Sequence, residues 1–294
     1  MTTQPIHGHE HDLGHGLVVF RSLPTDTHSA IGPFVFLDHA GPVVMDAAEG
    51  HKADVRPHPH IGLSTVSYLL GGAVRHRDNL GSDQIIHPGD INWMTAGRGI
   101  VHSERFDTAG AFGGGGLELL QTWVALPEES EEIRPAFSHF ASDALPAEDS
   151  GGRRLRVLIG EAYGLESPVQ TYSPTFYVHA DLTAGTRLDL PNHYSQRGAY
   201  VVRGRVTDES SGATYGPRQL LAFSAGGAPV LRAEENALVM LLGGEPVGTR
   251  YLWWNLVASS KERIRAAAAD WKAGRFQLPS NDNREYIPLP ETPI

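Results

Sequence analysis

Pro88-Gly-Asp-Ile-Asn-Trp-Met-Thr-Ala-Gly-Arg-Gly-Ile-Val-His-Ser-Glu104, read with the earlier run Arg56-Pro-His-Pro-His60, decides the architecture expected of this chain. Both runs are β-prone segments punctuated by Gly and Pro, and both carry metal-ligating side chains at alternate positions. A strand repeats its side-chain direction every two residues, so His58 and His60 share one face, as do His102 and Glu104. Two such strands can present four ligands to one point. Pro57 and Pro59 remove two backbone donors and fix φ around the first pair, which suits a strand edge and leaves the imidazoles rigidly aimed. Three neutral imidazoles and one carboxylate suit divalent iron, copper, nickel, manganese or zinc far better than calcium or magnesium. An octahedral ion held by four such ligands keeps two positions open for a chelating substrate, or for one substrate oxygen and dioxygen. A lone His-x-His among 15 histidines would as readily be chance; the matching His-x-Glu in a second β segment turns the reading to metal.

Outward from these motifs, short apolar runs alternate with turn signals at Leu17–Arg21, Phe34–Leu37, Thr65–Leu70, Ala73–Arg77, Gln84–Ile86 and Glu118–Val124. After Gly151 the pattern resumes at Leu155–Ile159, Thr175–Asp181, Ala199–Val206, Gln219–Phe223 and Ala237–Leu242. This spacing predicts two all-β sandwiches or barrels. The halves also resemble each other: Tyr68–Val74 lies over Tyr200–Val206 at an offset of 132, and Met94–Gly97 over Phe223–Gly226 at 129, as duplication of one β unit would leave them. Between the halves, Ala125–Asp149 holds seven acids against Arg134 and reads as a solvated linker. The expected division is a metal-binding domain over residues 1–127, an acidic linker over 128–150, and a second domain over 151–294. The last of these includes one helix near 260–273, opened by a capping box of Ser259 with Glu262, striped by Ile264, Ala267, Ala268 and Trp271, and stopped by Gly274. The proline-rich tail after it is expected to run extended over the surface.

Composition narrows the functional classes. The 294 residues are enough for two cores, and the absence of cysteine removes disulfides, thiolate zinc sites, cysteine nucleophiles and iron–sulfur clusters. A net charge of −10, with no local basic patch, disfavours direct nucleic-acid binding. No apolar run approaches a bilayer span and no targeting segment is evident, so the cytoplasm is the expected location and no membrane partner is expected.

The motifs resemble the pirins, a branch of the cupin superfamily. The resemblance rests on Asp54–Val66, His76-Arg-Asp-Asn-Leu-Gly81 and Pro88–Glu104, with the opening Gly32–His39 and the ending Trp254–Ile264. It implies an all-β bicupin, two facing β-sandwiches with one mononuclear iron in the N-terminal domain, held by His58, His60, His102 and Glu104. Ordinary cupins place a glutamate soon after His-x-His, where Ser64 and Thr65 stand here; the carboxylate has moved to Glu104, as in pirins. Ile61 and Leu63 depart from the Arg and Phe common in pirins, which points to an altered pocket lining or entrance. In the second half, the offsets map His58 and His60 onto Leu190 and Asn192, and His102 and Glu104 onto Leu231 and Ala233. His193 is one residue out of register and reads as a stray polar histidine, so the second domain is expected to be a metal-free copy.

Other residues carry weaker readings. His7, His9, His11 and His15 are an arm able to take adventitious metal, or simply a mobile polar arm. Asp38-His39 reads as a donor orienting a ligand imidazole or as a turn cap; Trp93 and Met94 as pocket lining or plain core; Arg98 as a steering cation or turn decoration; Gly113–Gly116 as a flexible lip. The function implied by the resemblance is oxidative ring opening of flavonols by a metal-dependent dioxygenase of the quercetin 2,3-dioxygenase type. Its cofactor would be one divalent metal, Fe(II) first, and its partners a flavonol-like molecule and dioxygen, with Glu104 as the acceptor of the substrate's hydroxyl proton. The alternatives are a metal- or redox-sensing regulatory protein that binds a protein partner without significant turnover, and a small-molecule-binding cupin with a structural metal.

Overall fold

In a computed structural model, the structure describes residues 3–13, 17–45, 50–106, 110–112, 116–223 and 226–294. The expectations placed on His15, on Gly113 to Gly115 and on Ser224 and Ala225 lie outside these residues. Among the described residues the chain is made of strands and one α-helix, Lys261–Lys272, and no helix is long and apolar enough to cross a membrane. All-β bicupin architecture is therefore what the sequence folds into.

Two compact units result, and neither is continuous in sequence. One comprises Met1–Glu10, Phe20–Asp38 and Asp143–Pro246; the other comprises His11–Val19, His39–Ser142 and Val247–Ile294. Edge strands contribute to this interleaving. Residues from the acidic stretch form the strand Ala136–Phe140, which pairs antiparallel with Ile91–Thr95, so this stretch is not a solvated linker. Near the N-terminus, Thr3–Ile6 is a strand on the edge of the other unit, paired with Leu220–Phe223, and His9–Asp12 is a strand as well, not a mobile arm. An unpaired strand edge leaves a row of donors and acceptors to satisfy, and these outlying segments satisfy them.

The unit bearing the histidines contains a four-stranded sheet in the order Val55–His60, Ile100–Arg105, Val74–Asp78, Asp83–Ile86. Its other sheet runs Ala136–Phe140, Ile91–Thr95, Leu63–Gly71, Leu117–Ala125, Phe34–Val43, Val18–Leu23, His9–Asp12, the last three strands having residues in both units. Leu69, Val74, Ile86, Phe106, Leu117 and Leu119 are part of the apolar cluster within it. Burying each such side chain contributes roughly 1.5–3 kcal/mol.

The second unit repeats the plan. Its four-stranded sheet has the order Arg187–Asp189, Val230–Ala233, Val206–Asp208, Thr214–Tyr215. In the first unit His102 stands opposite His58 and Asp78; in the second, Leu231 stands opposite Leu188 and Asp208. The counterpart of His58 is thus Leu188 rather than Leu190, because the ladder and not the linear offset sets the register. Leu188, Leu190, Leu231 and Ala233 all belong to the buried apolar cluster, while His193 is exposed. The strand expected over Ala199–Val206 is broken at Gly204, where φ is +74° and an added Cβ would meet the Asn236 carbonyl oxygen at 2.4 Å.

The helix buries Ile264, Ala267, Ala268 and Trp271 as its periodicity dictates. Its cap is Ser260, whose side chain accepts from the Arg263 N–H, and not Ser259, which donates to Glu131 at 2.8 Å. Gly274 ends the helix at φ +69°, with the Arg275 N–H reaching back to the Asp270 carbonyl. Ile61 packs in the cluster under this helix with Leu256 and Ala258, so its departure from the pirin pattern belongs to core packing and not to a pocket wall.

Candidate metal centre

The strands Val55–His60 and Ile100–Arg105 lie side by side, antiparallel, with His58 directly opposite His102. His58, His60 and His102 are 5%, 1% and 2% exposed, and one ring nitrogen of each lies within 4.8 Å of the others. Burial holds all three imidazoles below their ordinary value, His58 at about 4, so each is neutral at neutral pH and able to act as a ligand.

Hydrogen bonds fix which nitrogen carries the proton. His58 Nδ1–H donates to the Arg56 carbonyl at 2.9 Å, and His60 Nδ1–H donates to the Asn255 carbonyl at 2.9 Å. His76 Nε2 donates to the Asp78 carboxylate at 2.9 Å. His102 Nδ1 lies 3.3 Å from His76 Nδ1. The ring protons of His58 and His60 point outward, which leaves their Nε2 lone pairs free to coordinate. His60 Nε2 and His102 Nε2 face each other at 3.1 Å. Neutral imidazole nitrogens gathered in this way are the donor set of a transition ion, so the residues fit one.

Glu104 stands opposite His76 where His102 stands opposite Asp78, and the ladder to Val55–His60 shifts register between His102 and Glu104. Its carboxylate is not among the atoms gathered within 4.8 Å, which among the described residues come from the three histidines. It is partly buried, and burial alone pushes its carboxyl up to about 7.

Asp38 is gripped by Arg21 through two hydrogen bonds of 2.9 and 2.8 Å, and His39 Nε2 faces Glu118 at 3.2 Å. Trp93 and Met94 are buried core residues, the indole donating to Thr95. Arg98 is exposed on a turn, its N–H donating to the Ile133 carbonyl and its own carbonyl accepting from Arg263. Sequence reasoning missed the groups that orient the ligands. His76 and Asp78 sit inside the quoted run His76–Gly81, and their strand Val74–Asp78 alternates buried and half-buried residues with Val74, His76 and Asp78 inward. A buried His-x-Asp on a neighbouring strand was the available signal. Phe137, from the stretch read as linker, stacks on His76 at 4.2 Å and 11°, and Trp123 stands edge-on to His60 at 5.2 Å.

The pirin family model matches residues 16–124, and the model of the pirin C-terminal cupin domain matches residues 177–277. A pirin-like protein of Caulobacter vibrioides is 50% identical over 95% of this chain and 96% of its own length. The crystal structure of a quercetin 2,3-dioxygenase from Acinetobacter baumannii superposes with a TM-score of 0.89 at 32% identity, covering 99% of this chain and 96% of that one. The bacterial pirin YhhW of Escherichia coli shares the fold, with a TM-score of 0.65 at 19% identity over 83% of this chain and all of that one. Two matched domains spanning most of the sequence, together with a relative identical at half its positions, place this chain in the pirin family.

Proposed function

We propose that this pirin is a metal-dependent dioxygenase that opens the ring of a flavonol-like substrate. The observation that carries the reading is the convergence of three neutral, buried imidazoles, two of which direct their ring protons outward to backbone carbonyls. Support for the substrate class comes from the quercetin 2,3-dioxygenase that shares 32% of its residues with this chain. His58, His60 and His102 would hold the ion, with Glu104 as the fourth ligand. When bound, a divalent ion, iron first, supplies Lewis acidity toward a phenolic oxygen and a redox partner for dioxygen.

The chain's own residues provide the rest. Carbonyl acceptors at Arg56 and Asn255 hold two imidazoles in one tautomer, so their Nε2 atoms need no proton loss to coordinate. The indole of Trp123 against His60 walls the site with apolar surface. Glu104 accepts the flavonol 3-hydroxyl proton on a carboxylate oxygen, which leaves the substrate as the electron-rich anion that reacts with dioxygen. The expected setting is the cytoplasm, with the flavonol and dioxygen as partners.

The test is anaerobic reconstitution with ferrous iron, metal quantification, then quercetin under oxygen, following flavonol absorbance and carbon monoxide release. Wild type is expected to load one ion and release carbon monoxide. Glu104→Gln is expected to stay folded and lose turnover, and His58→Ala to lose the ion. Full loading without turnover would overturn the dioxygenase reading in favour of a metal-state-dependent binding protein.

A further inference from the structure

We infer that His76 and Asp78 are positioning residues for His102, a two-step relay that fixes the proton of this ligand on Nδ1 and so keeps its Nε2 open to the metal. The inference rests on the metal reading above and deepens it. Asp78 is fully buried, and its two carboxylate oxygens have separate duties. Oδ1 accepts the N–H groups of Leu80 and Ser82 at 2.9 and 3.0 Å and holds the turn after the strand. Oδ2 accepts from His76 Nε2 at 2.9 Å. His76 is held in plane by Phe137, and in its neutral ring the Nδ1, an acceptor once Nε2 donates to Asp78, faces His102 Nδ1 at 3.3 Å and accepts its N–H.

The second unit separates the two duties. Asp208 occupies the place of Asp78, opposite Leu231, and its Oδ1 accepts the Ser210 N–H in the corresponding turn. Val206 stands where His76 would be, by the same ladder. The turn is thus kept where leucine replaces the ligand, and an apolar side chain takes the place of the imidazole step.

Asp78→Asn makes the relay reversible on paper and testable in solution. The amide oxygen still accepts the two turn N–H groups, but an NH2 now faces His76 Nε2, which must become an acceptor. The His76 proton moves to Nδ1, and His102 Nδ1 must then accept, which puts the His102 proton on Nε2. Zinc(II) affinity is expected to fall on the order of 10- to 100-fold, the usual effect of losing an outer partner of a ligand.

The experiment records long-range proton–nitrogen NMR spectra of the histidine-labelled, metal-free protein and zinc(II) affinity by chelator competition. Wild type is expected to show His102 as the Nδ1–H and His76 as the Nε2–H tautomer, Asp78→Asn the reverse. Asp208→Asn, which removes the matching turn carboxylate, is expected to leave zinc affinity unchanged. His76→Phe is expected to weaken zinc binding, and adding Asp78→Asn to it to weaken it no further. Wild-type His102 protonated on Nε2, an unchanged affinity in Asp78→Asn, or an unchanged affinity in His76→Phe each overturns the proposal. A wild type that binds zinc no better than His58→Ala would instead refute the metal reading, and the tautomer spectra would still judge the relay.

Discussion

The backbone carbonyl of Asn255 accepts the Nδ1–H of His60 at 2.9 Å across 195 positions of sequence. The acceptor is placed by the hairpin Tyr251–Trp253 and Leu256–Ala258, whose turn holds Trp254 at φ +54°. A bulky residue in that region costs on the order of 1–3 kcal/mol and persists only where its surroundings hold it. Here Trp253 and Trp271 do so, with ring centroids 6.2 and 6.5 Å from Trp254. A ligand of the centre is therefore oriented by a strained turn near the far end of the chain.

Trp254→Gly is expected to lose this ring packing yet keep the turn, and to hold metal affinity close to wild type. Trp254→Pro loses the same packing and cannot adopt a positive φ, so the Asn255 carbonyl must rotate away. Metal affinity in that variant is expected to drop on the order of 10- to 100-fold. Chelator competition on the two proteins side by side reads the difference; equal affinities would show that the carbonyl does not matter.

The C-terminal tail is pinned by charge. Asp282 accepts from Ser103 at 2.6 Å and from Arg105 at 2.7 Å, and the Ile287 N–H donates to the Pro57 carbonyl at 2.9 Å, next to His58. Burial alone would raise the Asp282 carboxyl, but the hydrogen bonds from Arg105 and Ser103 outweigh it and hold the group below its usual 3.8. A depressed carboxyl stabilises fully above its unfolded value, and that contribution is lost as pH falls through the lower folded one. Hydrogen exchange of residues 280–287 is expected to be as protected at pH 5 as at pH 7 and to rise below the usual carboxylate range. Asp282→Asn is expected to show the increased exchange already at pH 7.

Glu131 distinguishes the acids of the stretch before residue 150. It is 6% exposed, 3.2 Å from Arg250, and accepts from Ser259. Removing one partner of a buried pair costs about 3–5 kcal/mol, whereas an exposed acid is usually worth under about 0.5 kcal/mol. Glu131→Ala is expected to lower the denaturant midpoint clearly and Glu129→Ala, at an exposed position, to leave it in place.

The strand Thr3–Ile6 closes a sheet edge through its pairing with Leu220–Phe223, and Ile6 is 1% exposed. Ile6→Ala is expected to cost about 2–4 kcal/mol. Deleting residues 1–6 is expected to raise hydrogen exchange at Leu220–Phe223 and to promote aggregation through the bared edge. Unchanged exchange there would show that the strand is dispensable.

Sequence alone determined what is local. The two-residue period put His58 with His60, Gly and Pro marked strand ends, and the i, i+3, i+4, i+7 stripe fixed the buried face of the helix, because these relations depend only on strand and helix geometry. Tertiary structure decided the rest. That His60 and His102, 42 residues apart, face each other Nε2 to Nε2 follows from the register of one ladder. That Asn255 and the pair His76–Asp78 set the ligand tautomers, and that segments read as a linker and an arm become edge strands, follows from which backbone groups remain unpaired once the sheets have formed. Hydrogen-bond partners distant in sequence leave no periodic trace, since any residue can supply a carbonyl or complete a ladder.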